Sequence, residues 1–435
     1  MFKFIQRLKG DKGIWSFVAL LALFSFMPVF SASSNLAYMN HGTGNTLGYL
    51  VKHAVHIGFG FWILYQVQKI QVNRFKAIAI LLLPFSWLLI AATYFIGVEQ
   101  GSATRWLRIP GTSITFQPST AAFVMLMMFV AFYLSRKREE PLTFKSTLIN
   151  LWLPVGVTLM LILPNNFSTA ALIFAMVLML AFTANYPLKY LFGVVGIGVT
   201  AFALFIAVGK FVNKTQPEVK TGLFHRVATW EKRFESFVNE DEKTDAQNDD
   251  YQIEKAKTAI ATGGLYGLGP GKSVQKNFLP QSSSDFIFAI IVEEYGLLGG
   301  LAVLSLYMLL FLRFIITAHK AKSTYGKLLI IGLGFPIIFQ ALINMGVAVQ
   351  LLPVTGQTLP LVSSGGSSIW MTFFAIGVIL SATKKEEEFA EEQAERDARE
   401  AALQKLIDKQ LEEERQLAEA EALNGVVSET KAVQS

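Results

Sequence analysis

Asp285 stands where a polar run, QSSS, gives way to the apolar run FIFAIIV, and Glu293 and Glu294 follow inside that run. An ionisable side chain at the mouth of an apolar helix is costly to keep and needs a reason. One reason is catalysis, since perturbed acids gather at working sites. The other is capping, because Ser284 or Asp285 suits a helix N-terminus, where a negative charge is favoured. Residue types alone leave both readings open. Arg105 and Arg226 are the cations that could clamp an anionic head group, or else sit as interface anchors. His53 and His56 lie three apart with Lys52 beside them; metal ligation would need further ligands, so hydrogen bonding between helices is the expected use. Glu293 and Glu294 fall about two turns into their helix, one facing a cavity and the other pairing with a base.

The elements that hold these residues are set by composition. Apolar residues make up 52% of the 435, Phe alone supplies 36, and charged residues only 16%. This excludes an ordinary soluble enzyme and predicts an all-α polytopic membrane protein. The net charge of +6 reflects basic loops between apolar runs rather than a nucleic-acid surface. With no cysteine, disulfides and thiolate metal sites are excluded.

Ten apolar runs are expected to cross the bilayer, near 14–32, 47–67, 76–96, 118–135, 149–163, 167–185, 187–211, 285–314, 326–349 and 366–383. The first run is long and followed by others, so it reads as a helix rather than a cleaved signal. Prolines 28, 84, 154 and 336 fall inside runs and are expected to kink them. Lysines and arginines recur in every second loop, while the segments 33–46 and 350–365 hold none. The positive-inside rule then puts both termini in the cytoplasm and Asp285 on the far side. The expected organisation is a cytoplasmic N-terminus at 1–13, a membrane domain at 14–383 and a charged helical tail at 384–435. A large outer loop, about 212–284, joins the seventh and eighth helices. The tail reads as a solvated helix, with a partner-docking helix as the alternative.

Three outer segments are too polar or broken to span. Gly101–Ser119 reads GSATRWLRIPGTSITFQPS; the long loop ends in GGLYGLGPGKS, whose glycines predict backbone held close to something. That run is not a Walker phosphate loop, because Tyr266 occupies a required glycine position. Leu351–Ser368, LLPVTGQTLPLVSSGGSS, suits a re-entrant loop lining a cavity.

RWLRIPGTSITFQPS, HRVATW, YQIEKAKTAIATGGLYGLGPGKSVQKNFLP, SDFIFAIIVEEYGLLG and LLPVTGQTLPLVSSGGSS occur in that order. Together they resemble the shape, elongation, division and sporulation (SEDS) family, the FtsW and RodA proteins, with FtsW the nearer likeness. The resemblance covers about residues 14–383. It implies a peptidoglycan glycosyltransferase that polymerises lipid II into β-1,4 glycan during cell division and releases undecaprenyl pyrophosphate. On that likeness Asp285 is the catalytic base. Arg105, Trp106, Gln117, Ser119, Thr169, Arg226, Lys272, Gln275, Glu293, Ser363, Gly365 and Gly366 are nominated for substrate contact. No cofactor is required, although a divalent cation (Mg or Mn) is compatible. The implied partners are lipid II, a class B penicillin-binding protein (an FtsI-like transpeptidase) and divisome proteins, with no nucleic acid. The implied place is the bacterial inner membrane, with the site outside.

The chain departs from the family pattern. Thr120 and Phe123 stand where glutamate and lysine are usual, Asn165 and Ser168 replace an aspartate and a glycine, Ser283 and Ser284 replace histidine and threonine, and Ser364 replaces a tyrosine. A lipid II flippase, a RodA-type elongation polymerase and a division-site scaffold are the alternatives. A transporter would favour a midplane site and inverted repeats, and no internal repeat is evident.

Overall fold

The computed structural model describes residues 8–39, 46–100, 103–111, 114–136, 143–215, 227–238, 249–279, 282–384, 394 and 398–412. The chain divides into two units, Met1–Thr383 and Lys384–Ser435. In the second, residues 398–412 are helical, with Leu403, Leu406, Ile407 and Leu411 exposed.

The first unit begins with three helices, α1 (Lys12–Met39), α2 (Thr46–Val67) and α3 (Arg74–Ile96). A short antiparallel sheet follows: β1 (Val98–Gln100), β2 (Ala103–Arg108) and β3 (Thr115–Phe116), with β2 central. Next come α4 (Pro118–Ser135), α5 (Phe144–Ile162), α6 (Phe167–Thr183) and α7 (Leu188–Thr215). The outer loop carries α8 (Val227–Val238) and α9 (Asp249–Gly263), before α10 (Ile287–Lys320), α11 (Thr324–Ala348) and α12 (Ser367–Ala382). Among the described residues, 8 of these helices are long and apolar enough to cross a membrane. Two shorter apolar helices, α6 and α12, occupy the sixth and tenth expected runs.

Three expectations gain detail. The segment after α3, expected only not to span, folds as strands: β2 pairs Val98 with Trp106 on one side and Leu107 with Phe116 on the other. The loop at 212–284 is also partly helical. Trp230 of α8 packs its ring on Phe167, with centroids 5.3 Å apart, and so ties α8 to α6. Pro154 does not break α5. Instead the helix widens into a π turn at Leu148–Trp152 just ahead of it.

In lipid no hydrophobic drive pulls helices together, so close packing at small residues holds them. A Cβ on Gly334 of α11 would meet Phe314 of α10 at 2.7 Å, and one on Gly377 of α12 would meet Val67 of α2 at 2.8 Å. α11 is the most enclosed span, packed against α10, α4, α12 and α6.

The glycine-rich run finds its role at a break in α10. Gly296 has φ 71° and ψ −175°, which interrupts the helix. In an unbroken helix Leu297 and Leu298 would donate to the carbonyls of Glu293 and Glu294. Here Leu268 N and Gly269 N donate to those carbonyls, both at 2.9 Å. Leu297 N and Leu298 N donate instead to Gly264 O and Leu265 O, at 2.8 and 3.3 Å. The loop is thus spliced into the ladder, and the carbonyls of Glu293 and Glu294 and the N–H groups of Leu297 and Leu298 all keep partners. A side chain on Gly263, Gly267 or Gly296 would strike the opposing backbone.

The two acids complete this splice. Glu293 accepts from the Ser273 hydroxyl, from Val274 N at 3.0 Å and from Gln275 N at 3.2 Å. Glu294 accepts from the Ser31 hydroxyl of α1 and from Ser273 N at 3.2 Å. Lys276 Nζ donates to Ser31 Oγ at 3.1 Å and to Gly271 O at 2.7 Å. The expectation that Glu293 contacts substrate is therefore corrected: its carboxylate is occupied by the loop. Glu293→Ala would leave the buried Ser273 hydroxyl without its acceptor, at about 1–3 kcal/mol, and would free the part-buried Val274 and Gln275 N–H groups at a smaller cost. We expect a loss of about 3 kcal/mol in stability, measured as a lower Tm of the detergent-solubilised protein.

Candidate functional site

Asp285 precedes the first turn of α10, and its backbone is held by residues from far along the chain. Ser364 N donates to Ser283 O at 2.9 Å, and Ser363 Oγ donates to Ser284 O at 2.6 Å while accepting from Leu359 N at 2.7 Å. Asn344 Nδ2, on α11, donates to Asp285 O and to Gln357 O, both at 2.7 Å. The segment between α11 and α12 is accordingly tied down along its length. Gln357 Nε2 donates to Thr169 Oγ1 at 2.9 Å, and Gln340 Nε2 to Thr358 O at 3.0 Å. Gly356, at φ 67°, passes so near the carboxylate that a Cβ there would lie 3.5 Å from Asp285 Oδ2.

These residues wall a cavity of about 580 Å³. Arg105, Trp106, Gln117, Thr169, Asp285, Ser363, Gly365 and Gly366, all nominated from sequence, line it. Ser119 lies just behind, lining a small side pocket with Arg105, and its hydroxyl accepts from Gln117 Nε2 at 2.9 Å. Lys272, Gln275 and Glu293 are not among the lining residues. They belong to the spliced loop and its anchor, because the glycines that bring them near α10 turn them away from this cavity. Arg226 lies outside the described residues.

The capping reading of Asp285 does not hold. Phe286 takes the N-cap position of α10 and no side chain caps it. Asp285 is instead bonded by the Ser284 hydroxyl and faced by two cations, Arg105 of β2 and Arg233 of α8. Arg233 Nη1 also reaches Val354 O at 3.4 Å, which places α8 over the loop between α11 and α12. Burial pushes the Asp285 carboxyl above the usual carboxylate range, while Arg105, Ser284 and Arg233 pull against it. Burial likewise lowers Arg105, with Asp285 opposing that shift. Arg105 Nε and Trp106 Nε1 are buried with no hydrogen-bond partner among the described residues. Unsatisfied donors of this kind are set to receive a ligand.

Chemically, this is a lone carboxylate made more basic by burial, with guanidinium groups close by: a proton acceptor beside a place for negative charge. Among the described residues no three His, Asp or Glu side chains gather to cage a metal.

Sequence reasoning missed Asn344, Gln340 and Arg233. The first two are lone amides in the interior of an apolar helix, a signal that could have marked them. Arg233 is hidden among the other charges of a long loop. Asn344→Leu keeps the branched shape and removes both staples. We expect turnover to fall by about 10²-fold through misplacement of the carboxylate, with the protein still eluting as a single folded species.

Fold and site define a multi-pass membrane protein with a polar, single-carboxylate cavity. The family model described as cell cycle protein, covering FtsW, RodA and SpoVE, matches residues 11–388. The chain belongs to that family. It is 32% identical over 373 residues, 83% of this chain and 87% of the other, to a probable peptidoglycan glycosyltransferase FtsW of Thioalkalivibrio sulfidiphilus. It is 29% identical over 88% of its length to a protein of the same description from Geobacter sp., of which 99% is covered. Among solved structures, Thermus thermophilus rod shape determining protein RodA matches with TM-score 0.60 at 23% identity, covering 86% of this chain and 96% of that one. A chain from a study of a peptidoglycan synthase complex that coordinates polymerization and crosslinking matches with TM-score 0.64, also at 23% identity, covering 86% and 97%.

Proposed function

We propose that this protein is a peptidoglycan glycosyltransferase that polymerises lipid II during cell division. The observation that carries the reading is the Asp285 carboxylate, clamped at the cavity wall and facing Arg105 and Arg233. Asp285 takes the proton from the 4-hydroxyl of an acceptor N-acetylglucosamine. The freed oxygen attacks the anomeric carbon of the donor as the bond to pyrophosphate breaks. An α-linked donor gives a β-1,4 link by one inversion, and undecaprenyl pyrophosphate leaves with the electron pair. No second acid is needed, since pyrophosphate is already a good leaving group. Arg105, with its unpartnered Nε, and Arg233 take the charge that develops on the leaving phosphate.

The proposed topology has ten spans with both termini in the cytoplasm, the cavity on the outer side of the inner membrane and 384–435 as a cytoplasmic tail. The FtsW names of the relatives favour septal synthesis over a RodA-type elongation role. A class B penicillin-binding protein and other divisome proteins are the corresponding partners. The test is purified protein, with and without such a transpeptidase, supplied with lipid II. Glycan chains on a gel support the reading. Transport of lipid II across vesicles without any glycan would replace it with the flippase.

A further inference from the structure

The cavity has a second basic wall that this chemistry leaves unused. Tyr49, Lys52 and His56 line it from α2, at spacings of three and four that put them on one face. Ser33 of α1 lines it beside them. Counting from Thr46 at the start of α2, Lys52 lies about 9 Å along the helix and His56 about 15 Å. Lys52 is exposed, and its side chain lines the cavity less than two turns from the start of α2. His53 does not line the cavity; its Nε2 pairs with Ser25 Oγ at 2.8 Å, and its Nδ1 is buried without a partner. His56 does line it: the residue is 6% exposed and packs on Trp370 at 5.2 Å, and its Nδ1 too is buried with no hydrogen-bond partner among the described residues. Trp370 Nε1 is in the same condition. Asp285 is the only acid among the lining residues, and it already faces Arg105 and Arg233. Glu293 and Glu294 are held in the loop splice. The α2 wall thus presents positive charge and an unsatisfied nitrogen to the cavity with no acid opposite.

The neighbouring stripe of α2 says what kind of anion fits. Val51, Val55, Phe59 and Trp62 are exposed large apolar residues, a surface for hydrocarbon. We propose that Lys52 and His56 form a second anion subsite of the cavity, binding the phosphate of a lipid-linked ligand. This deepens the polymerase reading and rests on it. Glycan transfer brings two lipid-linked pyrophosphates together, one that leaves and one that stays. Arg105 serves the first and the α2 wall holds the second, while its hydrocarbon tail runs along α2.

The test measures binding of undecaprenyl pyrophosphate to the full-length protein in detergent, with phosphatidylglycerol as competitor. Lys52→Gln, His56→Gln and Lys52→Arg are compared with the parent. We expect each glutamine variant to bind one undecaprenyl pyrophosphate where the parent binds two, Lys52→Arg to keep both, and equimolar phosphatidylglycerol to displace neither. In polymerisation, Lys52→Gln should raise KM for lipid II at least tenfold and leave kcat within about threefold. Unchanged binding and KM in both glutamine variants overturn the subsite. Phosphatidylglycerol binding that disappears in Lys52→Gln while both undecaprenyl pyrophosphates still bind also overturns it, leaving a headgroup seat. If Lys52→Gln loses one of the two but the parent makes no glycan, the polymerase reading fails and the anion subsite stands. Lys52→Arg, with parental elution and Tm, guards against simple misfolding.

Discussion

Asp285→Asn is expected to lower lipid II polymerisation by about 10²–10⁴-fold, the usual contribution of a positioned general base. The protein should remain folded, because the staples around the residue engage its backbone: Asn344 bonds Asp285 O and Ser363 bonds Ser284 O. Stability separates this outcome from loss of a helix cap. Burial raises the carboxyl in the folded state, so the native protein holds its proton to higher pH than the unfolded chain does. The stability this group contributes is full below the ordinary carboxylate value of about 3.9 and is lost as pH rises through the raised one. At neutral pH the neutral amide therefore escapes that cost, and Tm should hold or rise. Loss of a cap would instead cost about 1 kcal/mol and leave turnover intact. The activity profile has the opposite sign. A base must be deprotonated, so the parental rate falls as pH drops through a limb lying above the usual carboxylate range.

Arg105→Gln should lower the maximal rate by about 10²–10³-fold, the scale for removing one charge-stabilising donor. It should also move the acid limb to higher pH. Arg105 opposes the effect of burial on Asp285, so its removal leaves only Ser284 and Arg233 to do so. The pH–rate profile of the purified variant checks both effects. Arg105→Lys restores the charge without the planar fork and should recover part of the rate. A loss of rate with an unmoved limb would separate Arg105 from Asp285 and defeat the pairing.

Much of this arrangement could be read before any coordinates. Apolar run length marks where the apolar helices fall, eight of them long enough among the described residues to cross a membrane and two, α6 and α12, shorter. The Asp285 boundary, the TRWLR segment and the PVTGQTLP segment come together at one cavity because each is polar where its surroundings are not. The acids of α10 were harder. Glu293 and Glu294 look like site residues in sequence, yet a buried carboxylate can equally be satisfied by backbone N–H groups, and nothing local tells which. The glycines announced close backbone approach without naming the partner, which is the helix only some thirty residues on. Lys52 and His56 read as ordinary helix neighbours until α1 and α12 pack around them.

The staples on Asp285 also govern when the chain becomes competent during synthesis. The splice at Gly296 joins Gly264 and Leu265 to residues made shortly afterwards, so α10 can complete itself as soon as it enters the membrane. The carboxylate must wait. Asn344 lies 59 residues beyond Asp285, and Ser363 lies 79 beyond Ser284. A nascent chain halted at the end of α10 carries Asp285 and Arg105, yet lacks Asn344 of α11 and the segment after it, which together hold the backbone at Asp285. The site is therefore assembled only once the segment between α11 and α12 has been made.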